Sequence, residues 1–445
     1  MKKIFLIIIL AGILCNACKK LATADLPPNQ LTYDKVFSDT SSLSAAVGGL
    51  FIQLGTVNDN LVRNISLYTD ELKTTSVSST DIEFSNSSLT VTNNSVLSIW
   101  QNLYSTIYNS NEIASALEKS TSVPVQAKNM ALGESRFIRA YCYLYLTRLY
   151  GDVPILLTTN IQINASSGKN NAKEVLLQAI SDFDAADKLL SVDYPLNNGK
   201  TTGNRYAACA YLSQACLEAG LYSRADSAAT AVIDAGNYAL LTDLNAVWTE
   251  NNNEAIFQLW NQYGFSTLNL VTTSGVPANQ LTNSLYSTFT ADDLRKSAWI
   301  GNINTSGANY FFPYKYKQHS MTSGPSAEYS TVMRLAEVYL MRSEARTRNG
   351  NLTGGMADLK IVRTRAGLSP LILNTKNDLL SAILRERQLE LFNENGSRFF
   401  DLKRFGLLDQ TLSPIKPMWK STGSLFPIPQ SEILNDPNLT QNPGY

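Results

Sequence analysis

A single histidine, His319, serves the whole chain of 445 residues. A histidine-ligated metal centre or a Ser–His pair would rest on that one side chain, and no zinc-type Cys/His spacing is present. Excess charge is missing too. Lys+Arg and Asp+Glu both number 37, the formal net charge is zero, and only 17% of residues are charged. Nucleic-acid binders need a surplus of Lys and Arg to meet phosphates, so that class is excluded. Cysteine is sparse: beyond Cys15 and Cys18 there are only Cys142, Cys209 and Cys216. Seven residues on a helix rise about 10.5 Å, too far for Cys209 and Cys216 to meet within the roughly 7 Å a disulfide spans. These three read as small core residues. The one long apolar run is Ile4 to Leu14, too short for a permanent membrane helix, and no later segment reads as long and apolar enough. Gly48-Gly49 and Gly354-Gly355 read as simple turns and belong to no phosphate-cradling loop.

What is present begins with that apolar run. Met1-Lys2-Lys3 before it and small residues after it form a signal peptide over residues 1–17. Cys15-Asn16-Ala17-Cys18 reads as a loose lipobox, with Cys18 the acylated first residue of the mature chain. Residues 18–29 then form a Pro-containing tether. Beyond it helical periodicity dominates. In Glu134–Tyr150 the residues Phe137, Tyr141, Leu144 and Tyr145 make one apolar face, and Gly151-Asp152-Val153-Pro154 stops the helix. Further helices are expected near Asn94–Lys119, Lys173–Leu190, Arg205–Ala219, Arg224–Ala235, Ser330–Arg348, Thr353–Arg365 and Asp378–Asn395. Tyr211-Leu212…Gly220 followed by Arg224-Ala225 is echoed by Tyr339-Leu340…Gly350 followed by Met356-Ala357. The offset is 128 residues when Tyr211 is set on Tyr339. Small residues at fixed points with a glycine turn are the logic of tetratricopeptide-type helix pairs. Thr69–Thr92 and roughly Trp248–Tyr329 break the pattern and read as long irregular segments.

Four motifs carry a family resemblance. They are Glu134-Ser135-Arg136-Phe137-Ile138-Arg139-Ala140 with Tyr150-Gly151-Asp152-Val153-Pro154; Leu359 to Leu368 (LKIVRTRAGL); Ile383 to Leu391 with Gly396 to Arg404 (GSRFFDLKR); and the terminus Leu425 to Tyr445 with its Phe426-Pro427-Ile428-Pro429 and Asn442-Pro443-Gly444-Tyr445. In that order they resemble the SusD/RagB family of outer-membrane nutrient-binding lipoproteins. The resemblance implies a mainly α fold of tetratricopeptide-like helix pairs, with long irregular, aromatic-rich insertions forming a ligand face. It divides the mature chain into an N-terminal helical region over 30–235, a ligand-face segment over 236–329 and a C-terminal helical region over 330–445. It also implies a partner, a TonB-dependent β-barrel transporter of the SusC/RagA type, and a glycan or, in some branches, a peptide as ligand. The place implied is the outer membrane, lipid-anchored and facing the exterior. Lys19 and Lys20 depart from that last point, since many such lipoproteins carry acidic residues after the acylated cysteine. No cofactor or metal is implied.

Glu386, Glu390 and Glu394 recur every four residues, a carboxylate stripe on one helix face. Glycosidase carboxylates must flank a scissile bond from opposite sides, about 5 Å or more apart, and successive turns of one helix do not surround a sugar. The stripe therefore reads as a structural network with Arg363, Arg365, Arg398 and Arg404, and the protein as a binder without enzymatic activity. An exported glycoside hydrolase and a protein-binding tetratricopeptide adaptor are the rival readings. For the ligand face, sugars call for flat apolar planes with amides and hydroxyls around them. Trp299, Trp260, Tyr263, Tyr314 and Tyr316 are the candidates, with Trp299 first.

Overall fold

The computed structural model describes residue 37 and residues 39–195, 199–260, 275–317 and 328–445. The leader, Cys18, the tether, Tyr263 and His319 lie outside the described residues.

Asp39 caps the first helix, α1 (Thr40–Tyr68), its carboxylate accepting from Ser42 N at 2.9 Å. Leu43, Val47, Leu50, Leu54, Leu61 and Ile65 recur at helical spacing and are buried. Among the described residues α1 is the one helix long and apolar enough to cross a membrane, which the sequence reading missed; its apolar stripe faces the protein core instead. Gly48 and Gly49 lie inside α1 and are not a turn. There follow β1 (Leu72–Thr74), α2 (Ser79–Asn86), α3 (Asn94–Lys119) and α4 (Val125–Tyr150). Helix α4 is buried on every side along its second half, from Glu134 to Tyr150. It is the central post of the core, which explains why its apolar residues outrun one face.

After α5 (Ile161–Ala165) come α6 (Ala172–Leu189), opened by an Asn171/Glu174 capping box, then α7 (Arg205–Glu218) and α8 (Tyr222–Asp234). The next stretch holds β2 (Ala255–Leu259), β3 (Asn279–Leu281), α9 (Asn283–Tyr286), α10 (Leu294–Trp299), β4 (Ile300–Thr305), β5 (Ala308–Pro313) and β6 (Ser330–Arg334). Three antiparallel two-stranded sheets result: β1 with β3, β2 with β6, and the β4–β5 hairpin. Ser306 and Gly307 close that hairpin with φ of 51° and 76°, the left-handed pair a tight two-residue turn requires. The expected helix Ser330–Arg348 is thus split: Ser330–Arg334 pairs with β2, and only then does α11 (Leu335–Arg348) begin. The rest is α12 (Leu352–Arg365), α13 (Lys376–Glu390), α14 (Ser397–Arg404), α15 (Leu408–Leu412) and α16 (Gln430–Asn435). Gly354 and Gly355 belong to α12, not to a turn.

The long helices form one unbroken run of neighbours. α1 packs on α3, α3 on α4, α4 on α6, α6 on α7, α7 on α8, α8 on α11, and α11 on α12 and α13. The array interrupted in sequence is continuous in space. Its two similar pairs superpose with an offset of 130 residues rather than 128. Ser213 Oγ donates to Ala225 O at 2.8 Å, and Ser343 Oγ donates to Gly355 O at 2.7 Å. Gly220 and Gly350, both with positive φ, turn the two pairs. Cys142, Cys209 and Cys216 are free and buried among these helices. The terminal motif closes the molecule: Phe426 N donates to Leu149 O, and the Asn442 amide donates to the carbonyls of Tyr150 and Phe426.

Candidate functional site

Two arrangements compete for a functional role, a buried charge cluster and an open cleft. The cluster is built on Arg334 at the end of β6. Its guanidinium meets Glu254 at 3.0 Å, Glu390 at 2.5 Å and Glu394 at 2.8 Å. Arg295 of α10 meets Asp293, Glu386 and Glu390. Arg365 pairs with Glu254 and Glu390, and Arg363 with Glu386. Lys315 donates to Glu394 and to the carbonyls of Glu390 and Phe392. Burial alone would raise the Glu390 carboxyl, but Arg365, Arg334 and Arg295 outweigh it and hold it well below the usual carboxylate range. A carboxylate so held is no proton donor near neutrality, and the guanidinium groups occupy the space a substrate would need.

The expected partners of the stripe were half right. Arg363 and Arg365 reach it, whereas Arg398 pairs with Asp70 and Arg404 with Glu344 and Asp401. Helix α13 ends at Glu390, so Glu394 joins from the following turn. Arg295, Arg334 and Lys315 were not anticipated; they come from β6 and the irregular segment, at sequence separations no helical spacing exposes.

Trp299 belongs to this buried region. It is 0% exposed, its indole N–H donates to Leu244 O at 2.9 Å, and Trp248 crosses it edge-on at 5.4 Å. A ring with neither face open cannot stack on a ligand, so the leading sequence candidate is a core residue. Tyr316 is similar: its hydroxyl accepts from Thr331 N, and its ring lies 5.3 Å from that of Trp248. Tyr314 is half-buried, with the Lys317 ammonium 4.0 Å above its ring. Neither tyrosine reaches the cleft described next.

Trp260, immediately after β2, is 48% exposed. It edges a cleft of about 660 Å³, a volume in the range of small-ligand sites. One wall is the outer face of α1, with Ser44, Ala45, Gly48, Gly49 and Ile52; the other is Thr201, Thr202, Asn251 and Tyr329. Among the described residues no charged side chain lines it. Lys200, next to this wall, turns its ammonium to the carbonyls of Asn252 and Ala255, and burial lowers it to about 8. Asn251 takes a left-handed conformation, φ 50°, fixed by its N–H to Gln258 and by Lys200 N donating to its side chain. Burial, then Glu250, raises the Tyr329 phenol, which stays a neutral hydroxyl. Thr202 is 5% exposed and its hydroxyl has no hydrogen-bond partner. An unsatisfied buried hydroxyl costs about 1–3 kcal/mol, which an arriving polar ligand group would offset. Of the sequence candidates only Trp260 stands at this cleft. The α1 wall was missed, although adjacent glycines within a helical apolar period were its signal.

Comparison with known proteins gives a consistent picture. The family described as SusD family matches residues 238–424, and the family described as starch-binding, associating with outer membrane, matches residues 29–217. SusD-like protein P38 of Formosa agariphila is 24% identical across 78% of this chain and 79% of its own. The starch-binding protein SusD of Bacteroides thetaiotaomicron is 34% identical over 127 residues, 26% of this chain and 21% of its own. Among solved structures, surface glycan-binding protein A from Bacteroides uniformis superposes with a TM-score of 0.78 at 19% identity, over 91% of this chain and 99% of the other. Its fold, tetratricopeptide-like and helical, is the one described above.

Proposed function

Because this chain belongs to the SusD-like family, we propose that it is a non-enzymatic binder of neutral oligosaccharide at the Trp260 cleft, held on the outer membrane by lipid on Cys18, and that it passes its ligand to a TonB-dependent transporter of the SusC type. The observation that carries the sugar reading is the chemistry of the cleft. An exposed indole supplies a flat apolar face, while Thr201, Thr202, Asn251 and Tyr329 supply hydroxyls and an amide without any charge. Sugar rings carry C–H patches bordered by hydroxyls, so this mixture complements them; a peptide, with its charged termini and side chains, finds no counter-ion there. The names of the relatives support the same class, one starch-binding and one glycan-binding. The hydrolase reading has no support in the cleft, which lacks a carboxylate, and the buried glutamates are ion-paired. Titration calorimetry with malto-oligosaccharides and laminari-oligosaccharides tests the proposal. Binding that survives Trp260→Ala unchanged would remove the cleft from consideration. Co-purification of the protein with a β-barrel transporter from native membranes tests the delivery step.

A further inference from the structure

On the far side of α1 lies a second cavity of about 320 Å³, whose walls include Gly49, Gln53, Asn109 and Glu112. Gly49 lines both cavities. We infer that the two form one groove crossing α1 at Gly48–Gly49, and that its occupant is an extended neutral polysaccharide chain lying across the helix rather than a lone sugar or chain end. This rests on the sugar-binding reading of the Trp260 cleft and specifies the form of its ligand.

The glycines are the first observation. A Cβ built on Gly48 or Gly49 meets nothing within 4 Å, so the protein's own packing does not demand their absence of side chain. Their φ values are helical and do not demand it either. Glycine inside a helix costs about 1 kcal/mol relative to alanine. What a glycine provides without a packing or backbone reason is close approach of something outside the fold. The second observation is the polar furniture at each end. Beside Trp260, Thr202 holds a buried hydroxyl with no partner. Across the helix, Gln53 donates to Ser105 Oγ at 2.5 Å and accepts from Asn109 at 3.1 Å, so two amides are held in fixed orientation at the rim, with half-buried Glu112 beside them. Ser44, in the first cavity, and Gln53, in the second, are nine residues apart, roughly 13 Å along the helix axis. That is longer than one sugar ring.

The test uses the detergent-solubilised full chain and a series of laminari- and malto-oligosaccharides from disaccharide to octasaccharide. Titration calorimetry compares wild type with Gly49→Leu, with Gly55→Leu as a control on the same helix but in neither cavity. Wild-type affinity is expected to rise with chain length. Gly49→Leu, which has room for its side chain, is expected to keep or raise the melting temperature and leave disaccharide affinity intact. It should weaken binding of the longest chains at least tenfold, and Gly55→Leu should change nothing. Long chains bound by Gly49→Leu as tightly as by wild type would overturn the groove while leaving the Trp260 cleft standing. Loss of transporter association with unchanged sugar binding would also overturn it, and assign this helix face to a protein. Indifference of every oligosaccharide to Trp260→Ala would overturn the underlying site and the groove together.

Discussion

Two tryptophans of the same composition class have opposite fates. Trp299 is enclosed by Trp248, Phe392 and the Lys315 ammonium, while Trp260 stands half-exposed beside open space. Truncating a core aromatic costs about 3–5 kcal/mol. Trp299→Ala should therefore depress the denaturation midpoint strongly and spare ligand affinity per folded molecule, and Trp260→Ala should do the reverse; equal effects on both quantities would contradict the assignment. Glu390 shares this enclosure. Removing one partner of a buried ion pair costs about 3–5 kcal/mol, so Glu390→Ala is expected to unfold at clearly lower denaturant with its oligosaccharide affinity unchanged. A third buried carboxyl, Glu134 of α4, is pushed up to about 8 by burial. Its folded pKa lies above its unfolded value near 4.5, so the native state keeps a proton the unfolded chain has released. Stability from this group is present below about pH 4.5 and is lost as pH rises toward 8. Glu134→Gln removes that dependence. Melting temperatures of the variant and wild type should converge near pH 4.5 and diverge, in favour of the variant, by pH 8.

At the level of elements, the pairs α7–α8 and α11–α12 repeat one another in detail. Each begins and turns at positions 130 residues apart, and each is tied by a serine hydroxyl to the carbonyl of the second helix. The small residues Ala225 and Gly355 at those carbonyls let the helices approach closely; a Cβ at Gly355 would already crowd Thr347 Oγ1 and Ser343 O. A net hydrogen bond is worth about 1 kcal/mol, somewhat more when its loss strands a buried partner. Ser213→Ala and Ser343→Ala should each lower stability by about 1–2 kcal/mol in urea unfolding, and similarly, since the bond is the same. A large asymmetry would mean the pairs are not equivalent. The α8–α11 contact explains how the array survives the long interruption. The inserted stretch leaves the array after α8 and returns through β6, which pairs with β2 at the stretch's own start.

For the whole molecule, charge is balanced and partitioned. The carboxylates and guanidinium groups of the C-terminal half are turned inward against one another, and the Trp260 cleft is left uncharged. Binding there should consequently depend little on ionic strength. The array also needs a tether to act at a membrane, because the apolar stripe of α1 is consumed by the core. A lipid on Cys18 supplies it; one acyl chain binds marginally, two or more stably. Mass spectrometry of the mature N-terminus should find Cys18 acylated and first in the chain. An unmodified Cys18, or a mature chain starting elsewhere, would contradict the anchor.

The boundaries of α3, α6, α7, α8 and α12 are set by local signals: Asn93, Asn171 and Asn204 as caps, glycines at the turns, and apolar residues at a period of 3.6. Such signals are written within a few residues of where they act, so the sequence alone determined these helices, and the ordered motifs alone determined the family. The split of Ser330–Arg348 was not local. Those residues are apolar enough for either state, and only β2, more than seventy residues earlier, makes Ser330–Arg334 a strand. The same holds for the candidate site. Trp260 and Trp299 look alike in sequence because burial depends on what the distant chain places around each ring. The wall of the cleft comes from α1, nearly two hundred residues before the tryptophan it faces. Cavities and ion-pair clusters are properties of pairs remote in sequence, and tertiary packing alone decides which pairs meet.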